Sequence, residues 1–367
     1  MTNRIRMEGP VGAKTVINGR TFDYFSGTGY LALQNHPIVV QAAMDALQRY
    51  GISTATSRGS YGEHPVYDEL EKQACAFLEC EKIIYFPSGY MGIAILTQAE
   101  GQSNDHFFID SAAHFSLWDA ANATNKSITP FRHRDPAHLQ EVLKKELERG
   151  EKPIVLSDGI FPISGEIAPL PDYLEVVEKY SGRIYLDDAH SLGVLGENGR
   201  GTPDYFNIDD GNCRTSATLA KALGGFGGII WGKADWIESL ERNSSICIGA
   251  SPPPLVVAAA SAAGLYVAKQ NPVFRENLRR NITQARSGLN GFGLKVETSP
   301  SPIICLPAED GINLAKIKSR LFKAGIAVSL VRNYSSTPPG GALRIAIFAT
   351  HTSEQIDNLL LTIGRLI

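Results

Sequence analysis

No sign of charge dominates the 367 residues: 35 Lys and Arg stand against 38 Asp and Glu, a net of −3 with histidine neutral. That balance leaves no basic footprint for nucleic acid and no cationic surface for an anionic membrane. Anionic ligands remain open to a local pocket. No apolar run reaches the ~20 residues that a membrane span needs. The longest, 255–268, contains Ser261 and Gly264, stops at Lys269, and reads as a buried helix. The first fourteen residues carry positive charge without an apolar core behind it, so no secretory signal is expected. The five cysteines, Cys75, Cys80, Cys213, Cys247 and Cys305, are scattered and lack CxxC spacing. Neither a disulfide framework nor a metal site is expected; thiols in a reducing cytoplasm are. There is no internal repeat and no low-complexity linker. With 43% apolar and 20% charged residues the composition is globular. The length suits about two or three domains.

What is present is an alternation of helical and strand patterns. Helical spacing occupies 39–50, 65–78, 91–98, 114–121, 135–149 and 170–180. Short apolar strands fall at 82–86, 106–110, 153–157 and 183–187. Strands separated by such helices predict parallel βαβ units, hence an α/β fold. Asp135 as N-cap, Pro136 in the first turn and Gly150 as the stop bound one of the helices. Beyond about residue 254 the pattern changes. Two long helical stretches, 255–269 and 272–291, precede mixed short elements at 303–306, 312–324, 326–331, 343–347 and 354–366. The reading is an N-terminal segment 1–35, a large domain 36–268 and a smaller α+β domain 269–367.

Five places could carry chemistry. Ser88-Gly89-Tyr90 lies where a strand hands over to a helix, and a helix start offers free N–H groups to an anion. Such turns are also common without a ligand. In Tyr185-Leu-Asp187-Asp188-Ala-His190 an apolar strand ends in two carboxylates and a histidine. Strand ends of this kind point into the ligand crevice of open α/β sheets; a capping aspartate and a surface histidine are the plain alternative. Lys221 follows Thr215-Ser-Ala-Thr218-Leu-Ala and precedes a run with four glycines. Small apolar surroundings suit a desolvated amine that forms a Schiff base, where most lysines are merely solvated. The glycines let another backbone or a flat ligand approach closely. His114, soon after a strand ending at Asp110, reads as a site residue or as a cap or core histidine. Arg344 sits in an apolar strand and needs a partner, either a substrate carboxylate or an internal salt bridge.

Taken in order, these segments resemble the fold-type I pyridoxal-phosphate enzymes and, more narrowly, the α-oxoamine synthase family. The resemblance covers nearly the whole chain. It runs from 25–33 with His36-Pro37, through 51–62 with Glu69, to its most specific stretch at 187–201. It ends on Leu343-Arg344-Ile345 with 349–352. It implies a large domain with a mostly parallel seven-stranded sheet, a smaller C-terminal α+β domain, and pyridoxal 5'-phosphate as cofactor. By resemblance Lys221 holds the cofactor as a Schiff base, and Asp187 pairs with its protonated pyridine nitrogen. His114 stacks on its ring, and His190 bonds its phenolic oxygen. Ser88, Gly89, Tyr90 and Thr218 lie at its phosphate, with Asp158 also in the cofactor shell. Lys221, His114, Asp187 and His190 form the catalytic set, while Arg344 and Thr28 meet the substrate.

The resemblance also implies a condensation of an amino acid with an acyl thioester such as acyl-CoA, giving an α-amino ketone. Transamination, retro-aldol cleavage and racemisation are the other reactions open to the same cofactor. It implies a homodimer with shared active sites, in which 51–62 and 249–254 line the partner's cofactor site. The chain departs from the family at the substrate side. Thr28 replaces an Asn, Pro162 replaces a Ser, Ala220 precedes the lysine, and Gly249-Ala250 stand where a partner hydroxyl is usual.

Overall fold

The computed structural model describes residues 5–102, 105–209, 211–308, 313–334 and 337–366. Its centre is a seven-stranded sheet. The order is Lys82–Phe86, Gly228–Gly232, Cys213–Thr218, Arg183–Asp187, Lys152–Asp158, Asp105–Asp110, Ile128–Phe131. Only Gly228–Gly232 runs against the rest. The central strands read KPIVLSD and RIYLD, apolar on both faces, as strands covered on both sides must be. The two-residue period sorts their side chains. Ile154, Leu156 and Tyr185 pack under helices Gly92–Glu100, Phe115–Asn122 and Ala234–Asn243. Val155, Ile184 and Leu186 pack under Pro136–Glu146 and Leu170–Glu178.

Two three-stranded sheets build the smaller part. One joins Ile303–Pro307, Ala342–Ala346 and Ser329–Val331. The other joins the hairpin Lys14–Ile17/Arg20–Tyr24 to Ile326–Ala327. Asn18 and Gly19 turn that hairpin with φ of 47° and 75°, the left-handed pair that matches strand twist. Helix Leu255–Gln270 packs on Pro37–Tyr50 and Pro65–Leu78. Among the described residues no helix is long and apolar enough to cross a membrane.

Several elements differ from the sequence reading. The stretch 326–331 is two strands in two sheets, split at buried Val328. An apolar run does not report a change of neighbour. The first 35 residues contribute strands that close on the C-terminal part. The helix from Asp135 stops at Glu146, because Leu147 turns extended before Gly150. The helix expected over 312–324 spans Leu314–Lys323 and is capped by Asn313; Ile312 lies outside the described residues. The 268–269 division falls within the last turn of Leu255–Gln270.

One charged network fixes the 159–168 loop. His133 donates from Nδ1 to Asp110 at 2.8 Å and from Nε2 to Glu166 at 2.9 Å. Arg134 donates to the other Glu166 oxygen at 2.8 Å. Burial works against the charge on His133, but these carboxylates outweigh it and push its pKa up to about 9. Glu166 is held down to about 2, by His133 first of all. A raised imidazole stabilises fully below its unfolded pKa and loses the effect as pH climbs through about 9. Glu166, depressed, loses its share only as pH falls from its ordinary range through about 2. His133→Asn should therefore cost about 1–3 kcal/mol at pH 6 and much less at pH 10, measured by urea unfolding. A cost that does not change with pH would remove the charge from this account.

Candidate active site

Asp158, Asp187 and Thr218 stand at the carboxyl ends of three neighbouring strands, where ligands bind in open α/β sheets. Asp158 is in register beside Asp187, and Asp187 beside Ser216. A cavity of about 390 Å³ opens over these ends. Every site residue read from the sequence lines it. Ser88, Gly89 and Tyr90 come from the turn before helix Gly92–Glu100, His114 from the start of Phe115–Asn122, and His190 and Lys221 from the loops after their strands. Thr28 comes from the N-terminal loop, and Arg344 reaches in from strand Ala342–Ala346.

The local geometry explains each placement. Gly89 is required because a Cβ there would come within 2.8 Å of the Thr218 Cβ. Ser88 Oγ accepts the Tyr90 N–H at 3.3 Å and so shapes the helix start. His114 caps its helix and also lines the cavity. Its Nδ1 lies 2.7 Å from the Ser116 hydroxyl and 3.2 Å from the Ser116 backbone nitrogen, and its Nε2 shares a 2.7 Å hydrogen bond with the Tyr334 hydroxyl. The Asp158 carboxyl accepts the His114 N–H at 2.8 Å. Burial and then Asp187 push Asp158 well above the carboxylate range, toward the neutral acid. Asp187 accepts the Ala189 N–H at 3.0 Å and, among the described residues, has no cation in ion-pair contact.

The two adjacent carboxylates have separate jobs. The Asp188 side chain accepts the Thr202 N–H at 2.7 Å and the Thr202 hydroxyl at 2.6 Å, away from the cavity. Gly159 and Gly201 leave it no room for a neighbouring Cβ. It pins the 187–201 loop to the sheet.

Lys221 keeps some exposure to the cavity, yet the surrounding protein lowers its amine to about 8, with Asp187 and then Asp158 opposing the shift. Its carbonyl accepts the Gln34 side-chain amide at 2.5 Å. The glycines after it serve protein contacts: Gly224, at φ 70°, lies on the Leu33 backbone and Gly225 on Ser261. Thr218 also differs from expectation, since its hydroxyl donates to the Gly227 carbonyl at 2.8 Å instead of remaining free for a phosphate. Arg344 makes no ion pair among the described residues. Its guanidinium donates to the carbonyls of Pro162 at 2.7 Å and Gly27 at 3.0 Å, and to the Tyr30 hydroxyl at 3.2 Å. Three of its five N–H groups are spent on neutral oxygens, and two remain. Sequence reasoning missed Tyr30, Ser116 and Tyr334. Tyr30 was in view within the 25–33 motif, whereas nothing around Tyr334 signals a site.

A partly buried amine in a cavity at the strand ends of a mostly parallel seven-stranded sheet agrees with the fold-type I transferases that the sequence resembles. The profile of the aminotransferase class I and II family matches residues 26–363. The 8-amino-7-oxononanoate synthase of Alkaliphilus oremlandii is 32% identical over 98% of this chain and 91% of its own. That of Nitrosococcus oceani is 33% identical over 96% and 94%. Serine palmitoyltransferase from S. paucimobilis, solved with PLP and myriocin bound, superposes with a TM-score of 0.92 at 26% identity. The match covers 99% of this chain and 92% of that one. The 8-amino-7-oxononanoate synthase of Francisella tularensis shares the fold, with a TM-score of 0.79 over 94% and 97% of the two chains at 24% identity. The chain belongs to the aminotransferase class I and II family and, within it, to the α-oxoamine synthases.

Asp188→Ala should cost about 2–4 kcal/mol of stability, because it strands the Thr202 N–H and hydroxyl in a buried setting. Asp187→Asn should cost under about 1 kcal/mol, since the amide oxygen still accepts the Ala189 N–H. Guanidinium unfolding of both variants checks this, and equal losses would refute the division of roles.

Proposed function

We propose that this protein is a pyridoxal-phosphate-dependent acyltransferase that condenses an amino acid with an acyl thioester, such as acyl-CoA, to an α-amino ketone. The observation that carries the reading is the buried Arg344 guanidinium, free of any carboxylate among the described residues, in one cavity with Lys221 and Asp187. The donor set fits pyridoxal phosphate on its own chemistry. Lys221 offers an amine with a depressed pKa, Asp187 a carboxylate for a ring nitrogen, and the turn at Ser88–Tyr90 a helix start for a phosphate. Bound there, the cofactor supplies an electron sink for a carbanion at the amino-acid α-carbon.

The rest is the work of the chain. The Arg344 N–H groups left over bind the amino-acid carboxylate and fix which α-bond faces Lys221. The Lys221 amine, near neutrality at about pH 8, takes and returns the proton at that carbon. The Asp187 carboxylate holds a proton on the ring nitrogen. His114 is kept neutral, chiefly by burial, and its link to Tyr334 sets the orientation of its ring over the cavity. The new carbon–carbon bond forms at that carbon as the thioester carbon–sulfur bond breaks and CoA leaves as the thiol; the proton returns to the carbon where the carboxylate is then lost as CO₂, and otherwise goes to the thiolate.

A homodimer in the cytoplasm completes the proposal. Helix Pro37–Tyr50 bares Val40, Met44 and Leu47 on one apolar face, and Ile38, Ile52 and Tyr61 are exposed as well, the last two at 67% and 94%. The Ile52 carbonyl takes the Leu255 N–H at 2.9 Å, which sets stretches 51–62 and 249–254 side by side on that face. Covering it would make the folded monomer scarce.

The experiment is a panel of single amino acids with acyl-CoAs, reading thiol release. Release with at least one pair is expected. Keto-acid formation without thiol would move the assignment to transamination, and silence across the panel would sink it. Lys221→Ala should lose both turnover and any cofactor fixed by borohydride. Arg344→Lys should raise KM for the amino acid roughly 10-fold or more, the value of a bidentate charged contact. Sedimentation should show a dimer, and a fully active monomer at nanomolar concentration would contradict the shared site.

A further inference from the structure

Behind the cavity wall runs a buried chain of three polar groups. Arg344 donates from its terminal nitrogen to the Tyr30 oxygen at 3.2 Å, and the same oxygen lies 2.7 Å from His190 Nδ1. Tyr30 is fully buried, so protein groups must complete the bonding of its hydroxyl, while Arg344 and His190, each 6% exposed, line the cavity. A guanidinium can only donate, so the Tyr30 oxygen accepts from it. If His190 also donated, from Nδ1, the Tyr30 proton would face the interior with no acceptor among the described residues. One arrangement satisfies all three groups: Arg344 donates to Tyr30, and Tyr30 donates to His190 Nδ1.

We infer that Tyr30 is the positioning residue that fixes His190 as the Nε2–H tautomer, presenting an N–H donor to the cavity. Two further facts agree. Burial first, then the positive charges of Lys221 and Arg344, hold His190 well below its ordinary pKa, so the ring is neutral and carries one proton. Burial pushes the Tyr30 hydroxyl up to about 12, with Arg344 opposing, so it stays a phenol and remains a donor. With Nδ1 occupied as an acceptor, the single ring proton must sit on Nε2. A donor aimed into the cavity serves an oxygen that carries negative charge; the other tautomer would offer that oxygen a lone pair and repel it. What the N–H serves rests on the function proposed above, but the tautomer does not. The same hydroxyl joins the guanidinium proposed for the substrate carboxylate to the histidine proposed for the cofactor oxygen.

The test labels the purified holoprotein with [15N]histidine and reads the ring tautomers by long-range proton–nitrogen correlation, with His190 assigned by its loss in His190→Gln. Wild-type protein should show His190 with nitrogen-bound hydrogen on Nε2 alone. Tyr30→Phe should shift it to a mixture, or to Nδ1–H. That variant should also lower kcat by roughly 10- to 100-fold, the range for losing a partner that orients a functional histidine. The amino-acid KM should change by less than about threefold, because the Pro162 and Gly27 carbonyls still hold Arg344. An Nδ1–H signal in the wild type would overturn the inference. So would a Tyr30→Phe spectrum unchanged from wild type, whatever the loss of rate, since a merely structural tyrosine lowers activity without moving the proton. Should Tyr30→Phe fail to fold, the wild-type tautomer alone decides. Should no amino acid and thioester react, the spectra still decide, so the failure of the reaction and of the tautomer are told apart.

Discussion

A guanidinium buried with no carboxylate partner among the described residues is the constraint on which this site is built. Moving such a charge out of water is expensive unless donors and charge both find partners. Arg344 meets the first need with neutral oxygens from three separate segments, Gly27, Tyr30 and Pro162. It leaves the second unmet. The N-terminal loop and the 159–168 loop must therefore converge on one strand of the small sheet, and that convergence closes one side of the cavity. An anionic ligand, such as the amino-acid carboxylate proposed above, would supply what the fold withholds. A protein carboxylate in its place would satisfy the arginine permanently and leave it nothing to bind.

Elsewhere in the same lining, two acidic groups follow a related logic in the other sign. Two carboxyl groups at neighbouring strand ends, Asp158 and Asp187, are too close for both to hold charge cheaply in a dry setting. The pair resolves by specialisation. Asp158 is driven toward the neutral acid and takes the His114 N–H, while Asp187 remains the group facing Lys221. Lys221, desolvated, then sits near the pH at which an amine can both give and accept a proton. Each depends on the rest, because removing one charge changes the protonation of its neighbours.

How much of this the sequence revealed depended on whether a residue's task left a local mark. Asp187 and Lys221 were legible because the sheet places them at strand ends and in a small-residue turn, and both are local facts. So were the central strands, whose apolar runs are long. Strand Cys213–Thr218 carries no strand signal in its sequence, although it brings Thr218 to the site. Its CRTSAT is polar, and its last four residues are buried by neighbours that no window of sequence contains. The divergence of Asp187 and Asp188 was hidden too, since adjacent strand residues point to opposite sides and only the register shows which side is the cavity. Tyr334 reaches His114 across 220 positions, and a loop tyrosine announces nothing of that kind.

The loop around Pro162 shows why the substrate side should vary more than the cofactor side. Proline brings no hydroxyl, so its contribution to Arg344 is made by the main chain alone. A main-chain contact depends on where the loop sits, and the loop is set by Glu166 under His133 and Arg134 and by the close approach of Gly165 to the Ile303 carbonyl. Residues well outside the cavity therefore govern the aim of the guanidinium. The strand-end groups proposed for the cofactor have no such remote dependence. Asp187, Asp158 and Thr218 are ends of adjacent paired strands, held by the ladder itself. Changes that move a loop can thus re-aim the carboxylate contact while the groups proposed for the cofactor stay in place, which is the pattern expected where chains keep one cofactor and differ in what they condense.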